Sequence, residues 1–296
     1  MRSRDLADYV FLALIWGLSF LFLLQTVSSF GWVGVVSLRC LIAAVAVWFI
    51  ARLQGYCLRF NVRWQPLAVV GATTVAGQLL LLSYAMPLIG TAMAAICCAC
   101  TPLMAMLMSR IIWQERLSAS AGVGLALGAV GIVLLVGFPA HPFTTEFAWG
   151  CVIALASALC AAFGSSYASV HLRHVGYRES TLGTFLLGGL MSLPLLAFVP
   201  LPTVPGWMDW GRLLVLAVFM SAVAYMRYFR LVGNIGAPRA ISVEFASTAV
   251  AVAVGAVLLD ERLSLPQWGG SVAIVLGCAL VLGFIHLPAH RIRQHV

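Results

Sequence analysis

The chain has 296 residues, of which 62% are hydrophobic and 9% charged, against roughly 25% charged in an ordinary soluble domain. A mean hydropathy of +1.04 sustained along the length means that most side chains face lipid or other apolar helices, which excludes a soluble globular protein. Ten spans of about 20 residues would leave roughly 100 for termini and loops, so no sizeable soluble domain fits.

Taken in chain order, Arg2 and Arg4 precede an apolar run from Tyr9 to Leu24. That run is too long for a signal-peptide core and lacks a small-x-small cleavage site, so it reads as a retained first span. Division at charges, prolines and polar clusters predicts ten spans, at 7–27, 33–52, 66–86, 90–110, 118–138, 147–170, 181–200, 211–231, 237–259 and 266–286. Their continuous apolarity excludes a β-barrel, whose strands alternate in polarity over about ten residues. The expected fold class is therefore all-α integral membrane. Short loops at Met86 to Gly90 and Phe138 to Phe147, with Pro87, Pro139 and Pro142, read as external helix ends.

All 17 basic residues are arginine, set against 9 acidic ones. Placed on ten spans with both termini cytoplasmic, every arginine except Arg212, Arg262 and Arg39 falls on the internal side or at its edge. That skew is a positive-inside signature, so the basic balance speaks for orientation and not for a nucleic-acid partner. The eight cysteines sit almost entirely in apolar runs. They read as packing residues, because disulfide frameworks belong to small secreted domains.

The chain also repeats itself. Glu115-Arg116-Leu117-Ser118 recurs as Glu261-Arg262-Leu263-Ser264, and the glycines after each copy keep step: Gly124 with Gly270, Gly131 with Gly277, Gly137 with Gly283. A fainter echo pairs Trp16 to Phe20 with Phe163 to Tyr167. Five spans are an odd number, so two copies have opposite orientation, the inverted-topology repeat of secondary transporters. The first repeat is expected over 1–143 and the second over 144–296, with a short cytoplasmic tail.

Trp16-Gly17 in the first span, Arg39 followed by Ala43 in the second, both Glu-Arg-Leu-Ser junctions and the stretch from Tyr228 through Gly236-Ala237-Pro238-Arg239 to Gly277 resemble the EamA-like branch of the drug/metabolite transporter superfamily. The likeness covers almost the whole chain. It implies a ten-helix bundle of two inverted five-helix repeats, in a bacterial inner membrane, moving amino acids or other small metabolites, often outward. The chain departs from that family where Pro102 has Thr248 as its repeat partner, and where Glu244 and Arg227 add charge.

Glu244 is the most informative residue. A carboxylate at the centre of a membrane helix costs on the order of 2.5–3.5 kcal/mol on insertion scales, so something must compensate it. Glu244, Ser247, Thr248 and Ala251 share one helical face that would line a cavity. Glu244 is read either as a substrate-amine anchor or proton-coupling group, or as one half of a structural ion pair with Arg39 or Arg227. Arg39 carries a fork of donors suited to a carboxylate or to helix-end carbonyls; Arg227 and Arg230 read as side chains snorkelling to the interface. Around Glu244 the candidate substrate-binding set is Trp16, Ser19, Phe20, Gln78, Phe163, Tyr167, Tyr225, Tyr228 and Thr248, aromatics with a few polar groups, as small-molecule sites usually are.

His171-x-x-His174 with Glu179 has helical spacing for a metal but sits among arginines, and Cys97-x-x-Cys100 lies within a span; neither is expected to act. No phosphate loop, nucleophile elbow or zinc signature occurs, which excludes ATP-driven pumping by this chain alone. No catalytic residue, metal or cofactor is expected. The expected partners are a small-molecule substrate, the lipid bilayer and protons as a candidate coupling ion, with no nucleic acid. The reading is a secondary transporter exporting amino acids or related amphipathic compounds by alternating access around a midplane cavity. Uptake of a nucleotide-like or methyl-donor metabolite is the alternative within transport. An intramembrane enzyme is the alternative from another class, disfavoured because all six histidines lie in loops, at span ends or in the tail.

Overall fold

The structure is a computed structural model; it describes residues 2–58, 63–112, 114, 119–136, 144–202, 204–258 and 265–282. Among them every regular element is helical, and the chain is a multi-pass membrane protein. The elements are α1 (Ser3–Leu53), α2 (Trp64–Val70), α3 (Gln78–Ile111), α4 (Ala119–Val136), α5 (Thr145–His171) and α6 (Tyr177–Ser192). They are followed by α7 (Trp207–Ala217), α8 (Ala224–Ile235), α9 (Ala237–Ile241), α10 (Val243–Leu258) and α11 (Leu265–Leu282). A π-helical turn, Gly71–Gly77, joins α2 to α3, a second, Val218–Val223, joins α7 to α8, and a 3-10 segment, Leu193–Ala197, extends α6. Five runs are long and apolar enough to cross a membrane: Ser3–Leu53, Trp64–Gly90, Thr145–His171, Tyr177–Ala197 and Trp207–Ile235. Helix is the form such apolar runs must take in lipid, because it satisfies every backbone donor within the segment. Both Glu-Arg-Leu-Ser junctions, Gly137, Pro139, Pro142 and Gly283 lie outside the described residues.

Three glycines in left-handed conformations break the helical runs. The 51 residues of α1 would measure about 77 Å if straight, more than twice a hydrocarbon core of about 30 Å. Gly31 (φ 69°, ψ 166°) divides them between the ranges expected for the first and second spans. Gly90 (φ 74°, ψ 167°) divides α3, and Gly236 (φ 84°) separates α8 from α9. A side chain at any of these positions would strain the backbone. The expected loop from Met86 to Gly90 is thus helix up to a single break, with Pro87 inside α3.

The two π-helical turns start 147 residues apart, at Gly71 and Val218, and the breaks at Gly90 and Gly236 lie 146 apart. A π turn inserts one residue into the helical ladder and leaves backbone groups to be satisfied locally. In the second turn Ser221 does this, its hydroxyl donating to the Leu216 carbonyl at 2.9 Å.

Glycine allows the helices to approach closely, as in other membrane bundles. A Cβ on Gly17 would sit 2.7 Å from the Ser247 carbonyl oxygen of α10, and one on Gly71 2.7 Å from the Thr184 carbonyl of α6. Between α4 and α11 the contacts are reciprocal: Gly124 lies against the Gly277 carbonyl (2.6 Å to an added Cβ) and Gly131 against that of Gly270 (2.7 Å). Exposed tryptophans stand at or near the starts of helices, Trp64 on α2, Trp149 on α5 and Trp207 on α7, as expected of side chains at the lipid–water boundary.

Candidate functional site

Four parts of the fold converge on one interior cavity. From α1 come Trp16, Ser19 and Phe20 before the Gly31 break and Arg39 after it. The first residue of α3, just past the π turn, supplies Gln78; α8 supplies Tyr225 and α10 Glu244. Leu23, Leu79, Leu82 and Cys98 complete the described lining. The cavity measures about 50 Å³. A water occupies about 30 Å³ of liquid, so this space holds one or two waters and no metabolite without expansion.

Arg39 is 4% exposed and is held by the second π turn. Its Nε donates to Ser221 Oγ at 2.5 Å, and its Nη2 to the Met220 carbonyl at 3.5 Å. Ser221 can serve both ends because its own proton goes to Leu216. Glu244 lies in the first turn of α10, following a turn at Ser242, and not two turns into an unbroken helix. A carboxylate is favoured there by the partial positive charge of the helix start, which lessens the compensation its burial demands. Among the described residues Glu244 makes no ion pair, so the expected pairing with Arg39 or Arg227 is absent. Arg39 is turned to Ser221 and Met220, and Arg227 pairs with Asp8 at 3.2 Å.

The remaining predicted residues divide. Tyr228 is packed against Trp16 (ring centroids 5.3 Å apart) and Tyr225 (5.8 Å), but its hydroxyl donates to Ser165 at 2.7 Å, behind the cavity wall. Phe163 and Tyr167 do not line the cavity: they stack on each other at 6.0 Å, and Tyr167 stacks on His171 at 3.9 Å. Thr248 and Ser247 likewise turn away, both hydroxyls donating to the Glu244 carbonyl at 2.9 Å. Their polarity is spent on the helix backbone, which is why the periodic polar face of α10 does not become a cavity wall. Of the discounted metal candidates, His174 receives a bond from Arg173 Nε at 2.9 Å.

Two acidic residues near the N-terminus were not singled out in the sequence. Asp8, 3% exposed, is bracketed by Arg227 and Arg230 of α8, each at 3.2 Å, and Asp5 accepts from Asn234 at 2.9 Å. Their signal was available: two carboxylates three residues apart in a chain with few, on the helix that meets the arginine-rich end of α8. These contacts tie α1 to α8 at the end of the bundle that carries the N-terminus. Along both helices the layer of Trp16, Tyr225 and Tyr228 stands between this ion pair and the Arg39 end of the cavity.

The chain matches the EamA-like transporter family twice, over residues 9–137 and 148–283. It is 27% identical over 291 residues to a protein of Escherichia coli K12 named uncharacterized inner membrane transporter YedA, covering 83% of this chain and 92% of that one. It is 26% identical over 275 residues to an uncharacterized transporter of Archaeoglobus fulgidus, covering 90% of this chain and 94% of that one. A solved crystal structure superposes with a TM-score of 0.79 at 19% identity, over 95% of this chain and 96% of its own, a likeness of fold alone. With family matches spanning both halves, and transporters among its relatives, this chain belongs to the EamA-like transporter family.

Proposed function

We propose that this chain is a secondary active transporter that exports amino acids or related amphipathic metabolites by alternating access around the cavity between α1, α3, α8 and α10. One observation carries the substrate class: Arg39 and Glu244, of opposite charge, line the same cavity and are not paired with each other. A guanidinium suits a carboxylate and a carboxylate suits an ammonium, so the two together present complementary ends to a zwitterion. Trp16, Phe20 and Tyr225 would pack on the side chain of the solute, and Ser19 and Gln78 would meet its polar groups. Tyr228 would support Trp16 from behind, with Phe163, Tyr167 and Thr248 outside direct contact. Glu244 is also the candidate proton-coupling group.

The ten-span, two-repeat architecture is part of this reading. It is supported by the equal spacing of the π turns and of the Gly90 and Gly236 breaks, and by the reciprocal glycine contacts. Gly124 and Gly270 occupy equivalent positions, as do Gly131 and Gly277, and each touches the equivalent of its partner's neighbour, the pattern of an axis of two-fold symmetry. Inverted halves around a midplane site can exchange access by rocking, which would enlarge the small cavity seen here. The arginine skew supports cytoplasmic termini in an inner membrane. Catalysis lacks support, since no histidine is among the described residues lining the cavity.

The test is flux in proteoliposomes holding the purified full chain, under imposed gradients of a panel of amino acids. At least one should move, and Glu244→Gln should slow it at least tenfold while the protein stays monodisperse in detergent. Movement of none of them would overturn this reading.

A further inference from the structure

A second, larger cavity of about 480 Å³ opens at the end of the bundle that carries the N-terminus. Its volume falls within the range of small-molecule pockets, about 300–1,000 Å³. It lies where both ends of α1 meet the start of α6 and the face of α8, and its charge is one-sided. Arg4, Arg178, Arg227 and Arg230 line it, against the single carboxylate of Asp8. That carboxylate is already engaged by Arg227 and Arg230, and Arg230 meets it as a charge contact without an aligned hydrogen bond to Oδ2. The nearby acids are also engaged: Asp5 with Asn234, and Glu179 with the Tyr56 hydroxyl, whose pKa it holds above the ordinary phenol value. Arg178 is held in place, donating to Gln54 at 2.6 Å with its guanidinium over the rings of Tyr56 (4.4 Å) and Tyr177 (4.9 Å).

Orientation alone requires arginines at this end of the spans; it does not require four of them to converge on one cavity from three helices with one acid among them. We propose that this cavity is a binding site for an oxyanion group, phosphate or carboxylate, carried by a solute or by a phospholipid headgroup. Guanidinium forks bind such groups through paired charge-assisted hydrogen bonds, and converging like charges in a recess concentrate anions from solution. Basic pockets between membrane helices are also suited to headgroups. The site is separate from the Glu244 cavity, so its occupancy does not depend on the transport reading.

The experiment titrates inorganic phosphate into the purified full chain, by calorimetry, in a neutral detergent and in nanodiscs of phosphatidylcholine or of phosphatidylglycerol. Saturable binding in detergent is expected, weakened at least tenfold by Arg4→Gln combined with Arg178→Gln, a pair that leaves the Asp8 contacts intact. Each single variant is measured beside the double, and thermal melting without phosphate shows which are folded. Arg52→Gln, which removes the same charge from outside the cavity, should change binding less than twofold. Phosphate binding that survives in phosphatidylglycerol nanodiscs identifies a solute site; binding abolished there but retained in phosphatidylcholine identifies a headgroup site. Absence of phosphate binding together with equal melting in the two nanodiscs would overturn the proposal. So would folded Arg178 and Arg4 variants that bind as the parent does, or an Arg52→Gln effect equal to theirs.

Discussion

The two π-helical turns share a backbone and differ in chemistry. Gly71–Gly77 is packed by glycine against α6, with Gly71 near the Thr184 carbonyl, and its Thr74 hydroxyl is buried with no hydrogen-bond partner among the described residues. Val218–Val223, 147 residues on, carries Ser221 and the Met220 carbonyl, and both hold Arg39. The position 147 after Arg39 is Leu186, which is 40% exposed. A widened helical turn thus recurs as a structural device, while only the second copy presents partners to a buried cation. The lesson is that near-symmetry of backbone sets where a cavity forms, and departures from symmetry in side chains decide what it can bind.

The largest effect that could break this comparison comes from Arg39 itself. Arg39→Leu is expected to cut proteoliposome flux more than tenfold, whereas Leu186→Ala should change it less than twofold; equal effects would mean that the asymmetry carries no function. Next is the glycine crossing. Gly124→Val should destabilise the protein by about 1–3 kcal/mol, since the added methyls enter a packed interface. Gly270→Val should do the same within error, because the Gly131–Gly270 contact mirrors Gly124–Gly277. Melting in detergent reads both, and a large cost at one site only would break the reciprocity.

Smaller effects sharpen the contrast between the turns. Ser221→Ala removes the acceptor of Arg39 and should cost about 1.5 kcal/mol, the value of a hydrogen bond to a charged group. Thr74→Val removes a buried hydroxyl that has no partner among the described residues and should be neutral or stabilising, within about 0.5 kcal/mol. Asp8→Asn is expected to cost only about 1 kcal/mol, discounted for screening, because the Arg227 side chain is 41% exposed and stays hydrated when its partner is lost.

Membrane class and most helix positions were legible because apolar runs and arginine placement survive in any single sequence. The π turns were not: a one-residue insertion in the hydrogen-bond ladder leaves composition and hydropathy unchanged. Of the site, Trp16, Ser19, Phe20, Gln78, Tyr225, Glu244 and Arg39 were named from charge, aromaticity and repeat position, and all line one cavity. Phe163 and Tyr167 were named by symmetry with Trp16 and Phe20, and they pack elsewhere because α5 lies along α3. Thr248 was named from helical periodicity, which cannot distinguish a hydroxyl facing a cavity from one returned to its own backbone. The Asp8 pair escaped because attention to span ends treated each charge singly, while the contact joins residues 219 apart in sequence.

The central claim is that Arg39 and Glu244 together select a zwitterion. The most direct measurement is competition against flux of a transported amino acid by three compounds sharing its side chain: the amino acid, the amine lacking its carboxylate, and the acid lacking its amine. The account predicts that the amino acid competes at least tenfold better than either truncated compound, and that Glu244→Gln erases its advantage over the acid. Equal competition by all three would contradict it.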